Sequence, residues 1–200
     1  MRVIKLTHGK GNGLNQACLM TASNMLVGRG TDGDENSCVC PLLRSFIVPT
    51  NDAMPEELLA ELYTPLIWEI LGTRTEDREV LQARADAFVD WAVREIAPIA
   101  LRCRGFEAEA AKLESLPAII DVETARAAAH AAYAAAHAAN AANAAANAAY
   151  AAVNAANAAS AEIIWRKCPE IIRRVASIGD KRPVECVINE DQLACALGEV

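Results

Sequence analysis

The chain has 200 residues, of which 53% are hydrophobic and 4% aromatic, and a net charge of −7 at pH 7. This length suits a single domain, 1–200, and the hydrophobic content suffices for a core, although the many alanines leave that core thin. The negative charge argues against binding of extended nucleic acid, which requires a basic surface to neutralise phosphates. No segment is predicted to span a membrane.

Residues 1–13 are predicted to form a short, irregular, glycine-rich arm. Val3 to Leu6 favour a short strand, and a glycine-rich run from His8 to Gly13 follows. A glycine loop between a strand and a helix can cradle phosphate on its backbone amides. The run lacks the Lys-Ser/Thr ending of a P-loop, so a loose arm or turn is the favoured interpretation.

Residues 14–116 are predicted to form a helical bundle, because apolar residues recur there at helical spacing between glycine and proline boundaries. The predicted helices run from Leu14 to Gly28, from Pro41 to a turn at Pro49–Asp52, from the Pro55 region to Leu71 with a kink at Pro65, from Glu76 to Arg104 with a bend at Pro98, and from Phe106 to Leu116.

The seven cysteines are scattered and odd in number, which favours a reduced, cytoplasmic protein. Cys38 and Cys40 are spaced like the start of a zinc site, but no second pair at standard spacing follows. The favoured interpretation is a helix start with Pro41 at the first helical position. We therefore expect no metal and no cofactor.

An alanine-rich run from Arg126 to Ala161 dominates the second half of the chain. Alanine has the highest helix propensity of any residue, so the run predicts one long helix over about 122–167 within residues 117–168. Asp121 is the expected N-cap, and Lys167 and Pro169 mark the expected end. The predicted fold is therefore all-α, a helical bundle organised around this helix.

Polar residues without formal charge recur every three or four positions along the run and share a slowly winding face, which we call the ribbon. Its members are His130, Tyr133, His137, Asn140, Asn143, Asn147, Tyr150, Asn154, Asn157 and Ser160. Three interpretations stay open: a tolerated solvent face of an alanine expansion, a contact between helices or subunits, and the lining of a ligand site. The two histidines are seven residues apart, too far for one metal ion without other ligands.

Residues 169–200 are predicted to form short C-terminal helices. The junction with the alanine helix is the one locally basic part of the chain, and Arg166 and Arg173 there are candidates for contacting an anionic ligand. Arg74 follows a predicted glycine helix stop, where it could bind a helix end or reach a ligand. Charge compensation at helix ends explains part of this pattern equally well.

Four short motifs resemble a group of uncharacterised, alanine-rich helical proteins of bacteriophages and actinobacteria. They are Cys38-Val39-Cys40-Pro41, Asn51-Asp52, Leu71-Gly72-Thr73-Arg74 and Asp90-Trp91-Ala92-Val93-Arg94-Glu95. The resemblance implies an intracellular bacterial or viral origin and an all-helical fold, and it implies no activity.

Three classes of function were weighed. The few histidines leave little with which to build a catalytic site, so an enzyme such as a hydrolase or a nucleotide-cleaving enzyme is the least favoured. The leading hypothesis is a non-enzymatic small-molecule-binding protein, a homo-oligomer through its alanine helix faces that sequesters a nucleotide-type immune signal of the host. The alternative is a structural protein that uses the long helix for oligomerisation alone.

Overall fold

The computed structural model describes residues 5–9, 16–29, 38–121, 123–124, 126–131 and 150–184, with the backbone alone for 150–160. The predicted all-α class is confirmed, because the described chain is helical apart from two strands of two residues each. Contacts divide the protein into a terminal unit, Met1–Leu81 with Cys168–Val200, and a central unit, Gln82–Lys167. The prediction of a single domain stays a prediction.

The terminal unit begins with two parallel strands, β1 (Lys5–Leu6) and β2 (Gln16–Ala17). Leu6 and Ala17 are both buried, and the Thr7 amide extends the pairing by donating to the Ala17 carbonyl at 2.9 Å. Residues 5–9 are thus held in place, so the prediction of a loose arm is wrong for them, whereas the short strand favoured at Val3–Leu6 is found at Lys5–Leu6. The pairing of this strand with β2 was not predicted, because a two-residue pairing depends on tertiary contacts that the local sequence does not display.

The described helices between residues 19 and 69 of the terminal unit are α1 (Leu19–Leu26), α2 (Pro41–Ala53), α3 (Glu56–Tyr63) and α4 (Leu66–Glu69). α1 starts at Leu19, not at Leu14 as predicted, because Gln16–Ala17 pairs as a strand and Cys18 caps the helix. Thr64 and Pro65 separate α3 from α4, where one kinked helix was predicted.

α2 begins at Pro41 as predicted, but it continues through Pro49 to Ala53, so the predicted turn at Pro49–Asp52 is wrong. Leu43, Ile47 and Asn51 are its buried positions. Pro49 lies on the exposed face of α2, which lacks one helical hydrogen bond because proline has no N–H. Ile47 and Asn51, two residues before and after it, are fixed in the core.

The central unit contains most of α5 (Arg78–Trp91), a π-helical turn (Ala92–Ile96), α6 (Ala97–Arg102) and α7 (Glu107–Glu114). The sequence predicted one helix bent at Pro98. Pro98 has no N–H for the Arg94 carbonyl, and the π turn directly before it accommodates the missing bond. Leu101, Ala110 and Leu113 form a buried cluster there.

The backbone is helical at 123–124 and 126–131, and again in α8 (Tyr150–Ala176), the last helix that the structure describes. Asp121 is the predicted N-cap, and its carboxylate accepts the Thr124 amide at 2.8 Å. The middle of the predicted helix, 132–149, lies outside the described residues.

The predicted end of the alanine helix at Lys167 is wrong, as are separate helices directly after Pro169, because Pro169 lies inside α8. A proline inside a helix costs about 3 kcal/mol. Ile171, Ile172 and Val175 are fully buried, and each is worth about 1.5–3 kcal/mol. The free energy gained by burying these three side chains exceeds the local penalty of the proline, so the helix continues to Ala176.

Candidate functional site

The ribbon is the site that the sequence proposed, and only its ends are described. His130 is exposed on the helical segment 126–131. Tyr133, His137, Asn140, Asn143 and Asn147 lie outside the described residues. Tyr150, Asn154, Asn157 and Ser160 lie on α8, where only the backbone is described.

Arg166, at the basic end of the ribbon, is exposed and pairs with a carboxylate of its own helix. Its Nε donates to Glu162 Oε1 at 3.1 Å across one helical turn. Lys167 next to it pairs with Glu95 at 3.2 Å within the central unit. Each of these two basic groups therefore has a nearby carboxylate that compensates its charge.

Arg173 and Arg74 belong to the terminal unit. Arg173 is exposed, and its Nε donates to both carboxylate oxygens of Glu69 at 2.8 and 3.0 Å. Lys181 donates to the main-chain carbonyl of Glu69 at 2.6 Å. Arg74 is half-buried, and its backbone amide donates to the Cys38 carbonyl at 3.1 Å.

Three of the four motifs that carry the resemblance lie in the terminal unit and have structural roles there. The Thr73 hydroxyl donates to the Ile70 carbonyl at 2.6 Å and accepts the Cys40 amide at 3.0 Å. Together with the bond from Arg74 to Cys38, this contact joins the start of α2 to the segment after α4. Thr73 is completely buried, so no water can replace these bonds.

Asn51 forms a second junction, which the predicted turn at Pro49–Asp52 did not indicate. Its Oδ1 accepts the Leu19 amide at 3.2 Å, and its Nδ2 donates to the Thr7 carbonyl at 2.9 Å and to Asp52 Oδ1 at 3.4 Å. One amide thus joins α2, the first residue of α1 and the segment after β1. Asn51 is 1% exposed, and its bonds to Leu19 and Thr7 are both buried away from water.

A small recess lies beside Asn51, between the start of α1 and the end of α2. Its volume is about 40 Å³, and Gly9, Cys18, Asn51 and Asp52 contribute its polar lining. A water molecule needs about 10–15 Å³ of such space, so the recess holds a few waters at most. It is therefore too small for a nucleotide.

The potentially reactive groups near the recess are bonded to the fold. The Cys18 thiol accepts the Thr21 amide at 3.3 Å and caps α1. The Nε2 of His8 lies 2.7 Å from the Met54 carbonyl, and because a carbonyl only accepts, this nitrogen carries a hydrogen. Asp52 accepts the Gly9 amide at 2.7 Å.

A buried polar contact connects α8 to the rest of the terminal unit. The Tyr63 hydroxyl donates to the Thr50 hydroxyl at 2.6 Å and also contacts the Cys168 thiol. Burial raises the pKa of the Cys168 thiol to about 12, against a smaller lowering by its side-chain contact with Tyr63. Burial likewise raises the pKa of the Tyr63 hydroxyl. Both groups are thus protonated at neutral pH and structural in character.

Within the described ranges, no three His, Cys, Asp or Glu side chains gather closely enough to hold a metal ion. Neither Cys38 nor Cys40 forms a disulfide bond with another described cysteine. None of the helices that the structure describes has both the length and the apolar character needed to cross a bilayer.

Comparisons of this chain with protein-family models, with curated proteins and with solved structures found no match. The resemblance to phage and actinobacterial proteins therefore stays a prediction.

Proposed function

We propose that the protein is a non-enzymatic binding protein that holds a small polar ligand of the nucleotide type along the ribbon, within a homo-oligomer. The observation that carries the proposal is the pattern of residues 130–160, in which Asn, His, Tyr and Ser recur every three or four positions among alanines with no charged residue. A helix face meant only for water usually carries Glu, Lys and Arg. Uncharged donors and acceptors suit the edges of a base and the hydroxyls of a ribose.

The described ends of the run support a helical scaffold for this ribbon. The helix start is fixed by the Asp121–Thr124 bond, and residues 150–160 form the first part of α8. The proposal takes the helix to continue between these ends. An alanine side chain buries only a fraction of the apolar area of a leucine, so the methyl-coated faces would pack closely against further helices.

Arg166 is the basic residue that we assign to this site, since it lies on α8 together with Tyr150, Asn154, Asn157 and Ser160 and in the same unit as the ribbon. Its pairing with Glu162 is exposed, and exposed ion pairs are worth about 0–1 kcal/mol. A phosphate group, which binds arginine through two hydrogen bonds, could therefore replace Glu162 at little cost. Arg173 and Arg74, which belong to the terminal unit, are left out of the proposed site.

The biological role that we propose is sequestration of a nucleotide-type immune signal of a bacterial host by a phage-encoded protein. It follows from the ribbon together with the resemblance to phage proteins. A binding role also agrees with the chemistry of two buried cysteines, since Cys18 caps a helix and the Cys168 thiol has a raised pKa. Neither thiol has the features of an activated nucleophile.

The first test is mass spectrometry of small molecules released by heating the purified full chain, followed by thermal-shift assays with cyclic and ADP-ribose-type nucleotides. A ligand at 100 times its dissociation constant adds about 2.7 kcal/mol of stability, which raises the melting temperature of a chain of this size by roughly 5–10 °C. A preparation free of nucleotide that shows no shift with any of these compounds would contradict the proposal.

A triple variant, Asn140, Asn143 and Asn147→Ala, tests the ribbon itself. Alanine is the better helix former, so the change removes amides without weakening the helix. We expect the ligand to be lost and the oligomer kept. Glu170→Ala, an exposed change on α8 outside the ribbon, is the control and should bind like the parent.

Assembly without a ligand is the second candidate, and exposed apolar residues of the central unit favour it. Ile163, on α8, is 50% exposed, and Ile120 is 74% exposed. If the long helix serves assembly alone, the triple variant changes the oligomeric state or nothing, which light scattering coupled to size-exclusion chromatography would detect.

A further inference from the structure

We draw no further inference here: the strongest candidate, the recess between the start of α1 and the end of α2 beside Asn51 and Asp52, has a volume of about 40 Å³ and is lined by polar groups that already bond one another, so nothing in the structure shows what would occupy it.

Discussion

Replacing Asn51 by alanine should destabilise the terminal unit by about 2–4 kcal/mol. The variant leaves the Leu19 amide and the Thr7 carbonyl without their side-chain partner, and these residues are 0% and 6% exposed. A buried polar group that loses its partner costs about 1–3 kcal/mol. The adjacent recess of about 40 Å³ can admit a water to one of the two groups, which limits the sum.

The assay is urea denaturation followed by far-ultraviolet circular dichroism, with native-state amide exchange at Leu19 as the local measurement. Asp52→Ala is the matched control, because Asp52 is the next residue and bonds an amide, that of Gly9, which is exposed to water. We expect the control to cost less than about 1 kcal/mol. Equal losses for the two variants would show that Asn51 does not hold the three segments together.

The variant Asn51→Asp distinguishes the bond that Asn51 accepts from the bond that it donates. The new side chain keeps an acceptor for the Leu19 amide, but it presents a second oxygen to the Thr7 carbonyl and to Asp52. At pH 7 the variant should therefore be at least as unstable as Asn51→Ala. Because protonation of the new carboxylate restores a donor, the loss relative to the parent should shrink between pH 7 and pH 4. A loss that does not depend on pH would contradict this assignment of donor and acceptor.

Two further predictions concern the terminal unit. In the same denaturation assay, Gly72→Ala should lower the free energy of unfolding by about 1–3 kcal/mol more than Gly105→Ala. Both glycines have positive φ, 73° and 79°, but a Cβ on Gly72 would lie 2.3 Å from the Arg182 carbonyl oxygen, whereas a Cβ on Gly105 would meet nothing within 4 Å. Similar losses for the two variants would contradict the close approach of Arg182. At pH 8, the exposed thiol of Cys103 should react with iodoacetamide at least about 100-fold faster than the thiol of Cys168, because burial raises the pKa of Cys168 to about 12. Peptide mass spectrometry measures the two labelling rates, and equal rates would refute the prediction.

Helix starts could be predicted from the sequence where a local chemical rule determines them. Pro41 begins α2 because it occupies the first helical turn, where its missing N–H costs nothing. Asp121 caps a helix through a bond to the amide three residues later.

Pro49 and Pro169 could not be placed correctly by the same rules. Each lies inside a helix, because the residues around it are buried in the core of the terminal unit. The local penalty of a proline is visible in the sequence, whereas the compensating burial is visible only in three dimensions.

The environment of the candidate site residues could be predicted only in part. The pair Glu162–Arg166 is one helical turn apart and therefore readable from spacing. The pairing of Glu69 with Arg173 joins residues 104 positions apart, which no local pattern reveals. The residues next to Asn51 in the sequence fit a turn as well as a buried junction. The role of Asn51 can therefore be recognised only from the positions of Thr7 and Leu19 in the fold.

The two ends of α8 belong to different units, and this makes the ribbon testable. Cys168, Ile171, Ile172 and Val175 are buried in the terminal unit, so this end of the helix is fixed by side-chain packing. The ribbon residues belong to the central unit instead, and an alanine-rich sequence offers little apolar area for packing. Changing ribbon asparagines to alanine should therefore leave the packing of the terminal unit intact. A loss of ligand in such a variant can then be attributed to the missing amides and not to a failure to fold.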